Sequence, residues 1–185
     1  MKPPWRAQPP GAPPVDGPYA VLPNMSWCGG WKGTRFDSPA GITDWETTVL
    51  SGGEETALSV ALGATADQAA APNPFPGIKV YLLSPYEAAD VTSITIHASV
   101  YTDVLGAWYD VYIANYDTTS WEFVKTLSKL ANPGVPEYIV CDEEIVANCW
   151  KYVDGAKQIL LLVCCNSMGT QDLAAGHEYV IVDNT

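Results

Sequence analysis

One stretch constrains the fold more than any other: Tyr109 to Val124, YDVYIANYDTTSWEFV. Val111 and Ile113 alternate with Asp110 and Tyr112, a polar turn follows at Asp117-Thr118-Thr119-Ser120, and Trp121 and Phe123 resume the two-residue period. That pattern predicts a β-hairpin. Its aromatic and β-branched side chains are of the kind that fill a pleated, half-buried surface, so the hairpin is expected to build a core. The same period recurs. Ile94, Ile96, Ala98 and Val100 alternate with Thr95, His97, Ser99 and Tyr101; Leu58, Val60 and Leu62 share one face of an earlier strand, and Ile78, Val80 and Leu82 one face of another. Between those last two, ATADQAAAPNPFPG reads as a loop. Glu137 to Cys141, entered through Pro136, predicts a further strand, and Glu178 to Val182 the last one. Ile159 to Cys165, ILLLVCC, has no alternation and predicts a central strand covered on both sides. One helix is expected, Asp142 to Asp154. Asp142, Glu143 and Glu144 suit its start, Val146, Cys149, Trp150 and Val153 recur at helical spacing, and Gly155 ends it. Many strands, regular turns and one short helix predict an all-β, antiparallel two-sheet β-sandwich, most economically a jelly roll. Its core is expected to include Ile94, Ile96, Val111, Ile113, Trp121 and Leu161.

The 185 residues fit one domain and an appendage. Residues 1–53 read as an extended Pro-rich N-terminal arm followed by a Trp/Gly-rich loop segment, and residues 54–185 as the sandwich. Prolines at 3, 4, 9, 10, 13, 14, 18 and 23 disfavour helix and interior strand and favour a polyproline-type path. The arm also carries Lys2, Trp5, Arg6, Tyr19 and Leu22, which suit docking on a neighbouring subunit. On that reading, removing residues 1–24 leaves the sandwich folded. Gly29, Gly30 and Gly33 around Trp27 and Trp31 predict loop geometry, and GGWKGT lacks the spacing of a phosphate loop.

Charge narrows the partners. The chain is net −12, which opposes binding to a phosphate backbone, so no direct nucleic-acid partner is expected. The charge is uneven: residues 1–36 hold four basic residues, Lys2, Arg6, Lys32 and Arg35, against Asp16 alone, net +3, which leaves −15 for the rest. A basic arm precedes an acidic body. No apolar run is long enough to span a bilayer, so no membrane partner is expected, and the first residues lack the apolar stretch of a secretory signal.

No catalytic constellation is legible. His97 and His177 stand far apart, G-x-S-x-G and HExxH are absent, and Asp142-Glu143-Glu144 reads as a helix start rather than a cleft, so the chain is expected not to be an enzyme. Cys28, Cys141, Cys149, Cys164 and Cys165 lack CxxC spacing, which argues against zinc. The spacing of Cys141 and Cys149 allows a bridge without requiring one. Cys164 and Cys165 point to opposite strand faces as small apolar fillers. No cofactor is implied; oxygen ligands for calcium abound, but no spaced Asp-x-Asp loop locates a site. Tyr101, Tyr112 and Tyr116 lie opposite the expected core set and make a candidate face for a glycan, or equally for a covering sheet or subunit.

The succession VTSITIHASVYTD, VYIANYDTTSWEFV, a short turn ending YVDGAKQILLLV, and EYVIV resembles jelly-roll modules of the carbohydrate-binding type. Similar modules recur in surface proteins and in virion structural proteins of tailed phages. The resemblance covers Val91 to Val182; the Pro-rich arm and the Trp-Gly segment depart from it. It implies the fold and leaves two functional classes. One is a virion structural protein, decorating or cementing a capsid or sitting on a tail, whose partners are other copies of itself and a major capsid or tail protein. The other is a carbohydrate-binding module of a cell-surface or receptor-binding protein. The missing export signal and the basic arm favour the first, with assembly in the host cytoplasm; the second places the chain outside the cell or on its surface.

Overall fold

A computed structural model describes residues 16–21, 29–33, 55–56, 65–66, 75–102, 106, 108–130, 134, 137–165, 173–175 and 179–185. Its strands are β1 (Tyr19–Val21), β2 (Gly29–Gly33), β3 (Glu55–Thr56), β4 (Thr65–Ala66), β5 (Phe75–Leu83), β6 (Ser93–Thr102), β7 (Trp108–Asn115), β8 (Ser120–Ser128), β9 (Glu137–Ile145), β10 (Gln158–Cys165), β11 (Leu173–Ala175) and β12 (Tyr179–Asp183). They form two antiparallel sheets. In the first, β6 is central: β12 and then β11 lie along one side of it, β9 pairs along the other, β1 extends β12, and β4 and β3 extend β11. The second runs β2-β5-β10-β7-β8. From β5 onward the chain crosses repeatedly between sheets, the winding of an all-β two-sheet sandwich.

The core fills the space between the sheets. Ile94, Ile96, Ala98 and Val100 of β6, with Val180 and Val182 of β12, meet Val80 and Leu82 of β5, Tyr109, Val111 and Ile113 of β7, and Ile159, Leu161 and Val163 of β10. A second buried cluster lies on the far face of the second sheet, made by Tyr112, Ala114, Trp121, Leu160, Leu162 and Cys164, with Tyr81 and Tyr116 against it. β10 is therefore buried on both faces, as its unbroken apolar run requires. All six expected core residues are buried, but Trp121 belongs to the second cluster. The hairpin explains why. Ala114 faces Trp121 and Tyr112 faces Phe123, then an irregularity between Val111 and Tyr112 shifts the register so that Val111 faces Lys125.

Several expectations are corrected. Asp142 to Asp154 is not a helix: β9 runs on to Ile145, and only a 3-10 turn, Cys149–Tyr152, follows. Asp142, Glu143 and Glu144 pair with His97, Ile96 and Thr95 of β6, so the ladder outweighs weak helix propensity. Val146 and Trp150, read as apolar-face residues, are exposed. Gly29–Gly33 is a strand on the edge of the second sheet rather than a loop, held by pairing with β5. β5 starts at Phe75, inside the expected loop, and Pro76 is tolerated because β10 pairs only from Gly77 onward. The sheets take β1 and β2 from upstream of residue 54, so the sandwich does not begin there. Cys141 and Cys149 are free and buried, without a bridge; the Cys149 thiol donates to the carbonyls of Thr92 and Ile145. Leu58, Val60, Leu62 and His177 lie outside the described residues.

Candidate functional site

Among the described residues, the outer face of the first sheet carries an exposed row of mixed apolar and acidic side chains. Along β9 the residues pointing inward are Ile139, Cys141, Glu143 and Ile145, in register with Val100, Ala98, Ile96 and Ile94 of the core. Tyr138, Val140, Asp142 and Glu144 therefore point outward. Tyr138 is 57% and Val140 42% exposed, and the Asp142 side chain 65%; Glu144 is exposed as well. Across the strands Tyr179, His97 and Asp142 form one row in register. The His97 ring stacks on Tyr179 with centroids 4.4 Å apart, and its Nδ1 donates to Asp142 Oδ1 at 2.5 Å. The carboxylate and the stacked ring together fix the imidazole on a half-buried, polar platform.

A second polar group ties the hairpin to the 3-10 turn. Glu122 accepts from Asn115 Nδ2 (2.5 Å), Lys151 Nζ (3.0 Å) and the Tyr152 hydroxyl (2.5 Å). Partial burial pushes the Glu122 carboxyl up, but the hydrogen bonds from Tyr152, Asn115 and Lys151 together outweigh it and hold the group below its usual range. Lys151 shifts the other way: desolvation opposes its charge, and Glu122 more than restores it. The group clasps the end of the sandwich. A third, Lys125 Nζ to Glu143 Oε1 at 2.5 Å, bridges β8 and β9 across the two sheets.

The entry of the N-terminal segment is pinned. The Gly17 amide donates to Asn184 Oδ1 at 2.8 Å, Asn184 Nδ2 donates to Asp16 at 3.1 Å, and the Tyr86 hydroxyl donates to the Gly17 carbonyl at 2.5 Å. β1 then pairs with β12, Tyr19 opposite Val182 and Val21 opposite Val180. Tyr19 packs edge-on against Tyr86, centroids 6.3 Å apart, and touches the core.

The sequence-read sites fall in different places. Tyr19 pairs with β12 and packs on Tyr86 of its own sandwich, and cutting at residue 24 would strip β1 from the sheet. Lys2, Trp5, Arg6 and Leu22 lie outside the described residues. Tyr101, Tyr112 and Tyr116 do not form one platform. Tyr101 is on β6 of the first sheet, opposite Tyr138, whereas Tyr112 is on β7 of the second and only 3% exposed. Tyr116 packs against the same second cluster, where burial raises its hydroxyl pKa; that hydroxyl and Trp121 Nε1 are buried without a hydrogen-bond partner among the described residues. The outer row Tyr138, Val140, Asp142 and Glu144 was concealed because Asp142 to Glu144 read as a helix start. From Tyr138 to Ile145 four apolar residues precede three acids, with no two-residue alternation, so no local signal marked the row. Among the described residues no three His, Cys, Asp or Glu are grouped to hold a metal ion, and no helix is long and apolar enough to cross a membrane.

No family model matches the chain, and no curated protein matches it. Among solved structures it is similar to the enzymatically active domain of tailspike protein 4 of bacteriophage CBA120, at 6% identity over 86% of this chain, with a TM-score of 0.43. The match spans 20% of that tailspike chain. It is also similar to the Eiger TNF of S. frugiperda (9% identity, 93% of this chain and 94% of that one, TM-score 0.40). A third is CBM28, a carbohydrate-binding module specific for non-crystalline cellulose (10% identity, 66% and 73%, TM-score 0.32). Likeness at this level assigns neither family nor function.

Proposed function

We propose that this chain is a non-enzymatic structural accessory protein of a phage particle, decorating or cementing the capsid or sitting on the tail, and that it assembles through its N-terminal arm. The observation that supports this is the pinned entry at Asp16–Val21. Three hydrogen bonds and an added edge strand fasten the base of the segment to the sandwich. Residues 1–15 ahead of it hold six prolines, Trp5, Lys2 and Arg6 and no acidic residue. A fixed base and a proline-rich, cationic, aromatic extension are what a segment needs to bridge two subunits, because prolines lower the conformational freedom lost on docking. The acidic body supplies complementary charge on each copy.

The second reading, a carbohydrate-binding module, is favoured by one observation. Tyr138 and the Tyr179–His97–Asp142 row lie on the same face of the first sheet, about 13 Å apart along β9, and offer an exposed ring and fixed polar groups for a sugar's apolar face and hydroxyls. The purified full chain on a glycan array, alongside co-sedimentation with particles lacking the protein, separates the two. Particle binding lost on removal of residues 1–15, with a silent array, supports the virion protein; saccharide binding lost in Tyr138→Ala, with no particle binding, supports the module.

A further inference from the structure

We infer that residues 1–15 of a neighbouring copy dock on the outer face of β9, along Tyr138, Val140, Asp142 and Glu144. This rests on the assembly reading and names its docking surface. The two partners match in kind. One half of the row is apolar and exposed, Tyr138 and Val140, and the other half acidic, Asp142 and Glu144. The segment offers Trp5 beside Pro3 and Pro4, with Lys2 and Arg6 on either side. Trp5 and the prolines suit the Tyr138–Val140 half, as proline-rich segments suit exposed aromatic rings. Arg6, directly after Trp5, suits the carboxylates at the far end of the row. Asp142 is already oriented by His97, whereas the exposed Glu144 side chain has no ion pair or hydrogen bond among the described residues and is available to a cation.

The lengths also agree. Tyr138 to Glu144 spans about 20 Å of strand, which a polyproline segment covers in roughly seven residues. Fifteen residues reach about 45 Å, enough to leave the parent sandwich and lie along the next. Docking on the parent's own β9 demands more. β1 and β9 flank β12 and β6 from opposite sides of the sheet, and the segment enters β1 past the sheet's end, where Asp16 meets Asn184. A return over its own sheet calls for a turn ahead of Asp16, and the Pro9-Pro10 and Pro13-Pro14 pairs leave only Gly11-Ala12 between them to make it.

Sedimentation equilibrium on the full chain tests this with a charge-reversal cycle. Arg6→Glu and Glu144→Lys should each weaken self-association about tenfold, and the double variant should recover most of the loss. Tyr138→Ala should weaken association by a similar factor, beyond any shift in the monomer's melting temperature measured alongside. If both single reversals leave association intact while removal of residues 1–15 abolishes it, the segment docks elsewhere: the inference falls and the assembly reading stands. If removal of residues 1–15 changes nothing, the assembly reading itself falls. A double variant as weak as the singles, a coupling seen only in concentration-independent melting, or saccharide binding erased by Tyr138→Ala with association untouched would each overturn docking of a second copy here.

Discussion

Leu161 and Leu162 are neighbours on β10 and point to opposite faces of the second sheet, Leu161 into the space between the sheets and Leu162 into the outer cluster. Both are fully buried. If the outer cluster is a dry core in its own right, Leu162→Ala must cost as much as Leu161→Ala, in the range of about 2–5 kcal/mol for a buried leucine truncated to alanine. In a domain of this size that lowers the melting temperature by roughly 5–15 °C. Leu130→Ala, at an exposed position, serves as the reference and should change stability by less than about 0.5 kcal/mol. Urea denaturation followed by tryptophan fluorescence reads all three, with the slope checked for constancy. A Leu162→Ala variant as stable as Leu130→Ala would show that the outer face is not excluded from water and refute the two-faced reading of β10.

Other consequences follow from the polar groups. Glu122→Gln should cost about 1 kcal/mol, since hydrogen bonds to a charged group are stronger than this but the side chain is about a third exposed and partly screened. Because the folded carboxyl is held below its ordinary range, the difference from the parent should be fully present above that range and vanish as pH falls through the lowered value; a gap that widens in acid would contradict the clasp. Tyr86→Phe removes the hydroxyl that donates to the Gly17 carbonyl and should cost about 1 kcal/mol, with faster amide exchange in Tyr19–Val21 as the local readout. Burial pushes the Cys141 thiol up to about 11, so peptide-resolved alkylation at pH 8 should spare Cys141 until the chain unfolds; rapid native labelling would contradict its placement.

The hairpin and β6 were legible because their side-chain period is strict, and β10 because its apolar run is unbroken. Val111 and Ile113 against Asp110 and Tyr112, or the unbroken ILLLVCC, leave little room for another structure. The second cluster was half legible: ILLLVCC announced a strand covered twice, but nothing local to Trp121 or Tyr112 said that their face was the covered one. The first half of β9, Glu137 to Cys141, was legible as a strand, but its second half, Asp142 to Ile145, was lost to a competing local signal. Three consecutive acids and a four-residue apolar spacing imitate a helix, and only pairing with β6, a non-local interaction, decides against it. β2 was lost for the opposite reason, since three glycines carry no β signal and the strand exists through backbone pairing with β5 alone. Tyr19 was assigned outward because the arm's prolines were read as continuous, whereas the ladder to β12 begins at Tyr19, directly after Pro18.

The most direct measurement compares the full chain with a chain beginning at Asp16 by sedimentation velocity over a concentration series, with melting curves of both. The shorter chain keeps the hydrogen bonds to Asn184 and Tyr86 and the whole of β1. The expected result is an almost unchanged melting transition of the monomer, self-association of the full chain that rises with concentration and is only partly weakened by salt, and none for the shorter chain. Equal association of the two, at equal stability, would contradict assembly through the arm.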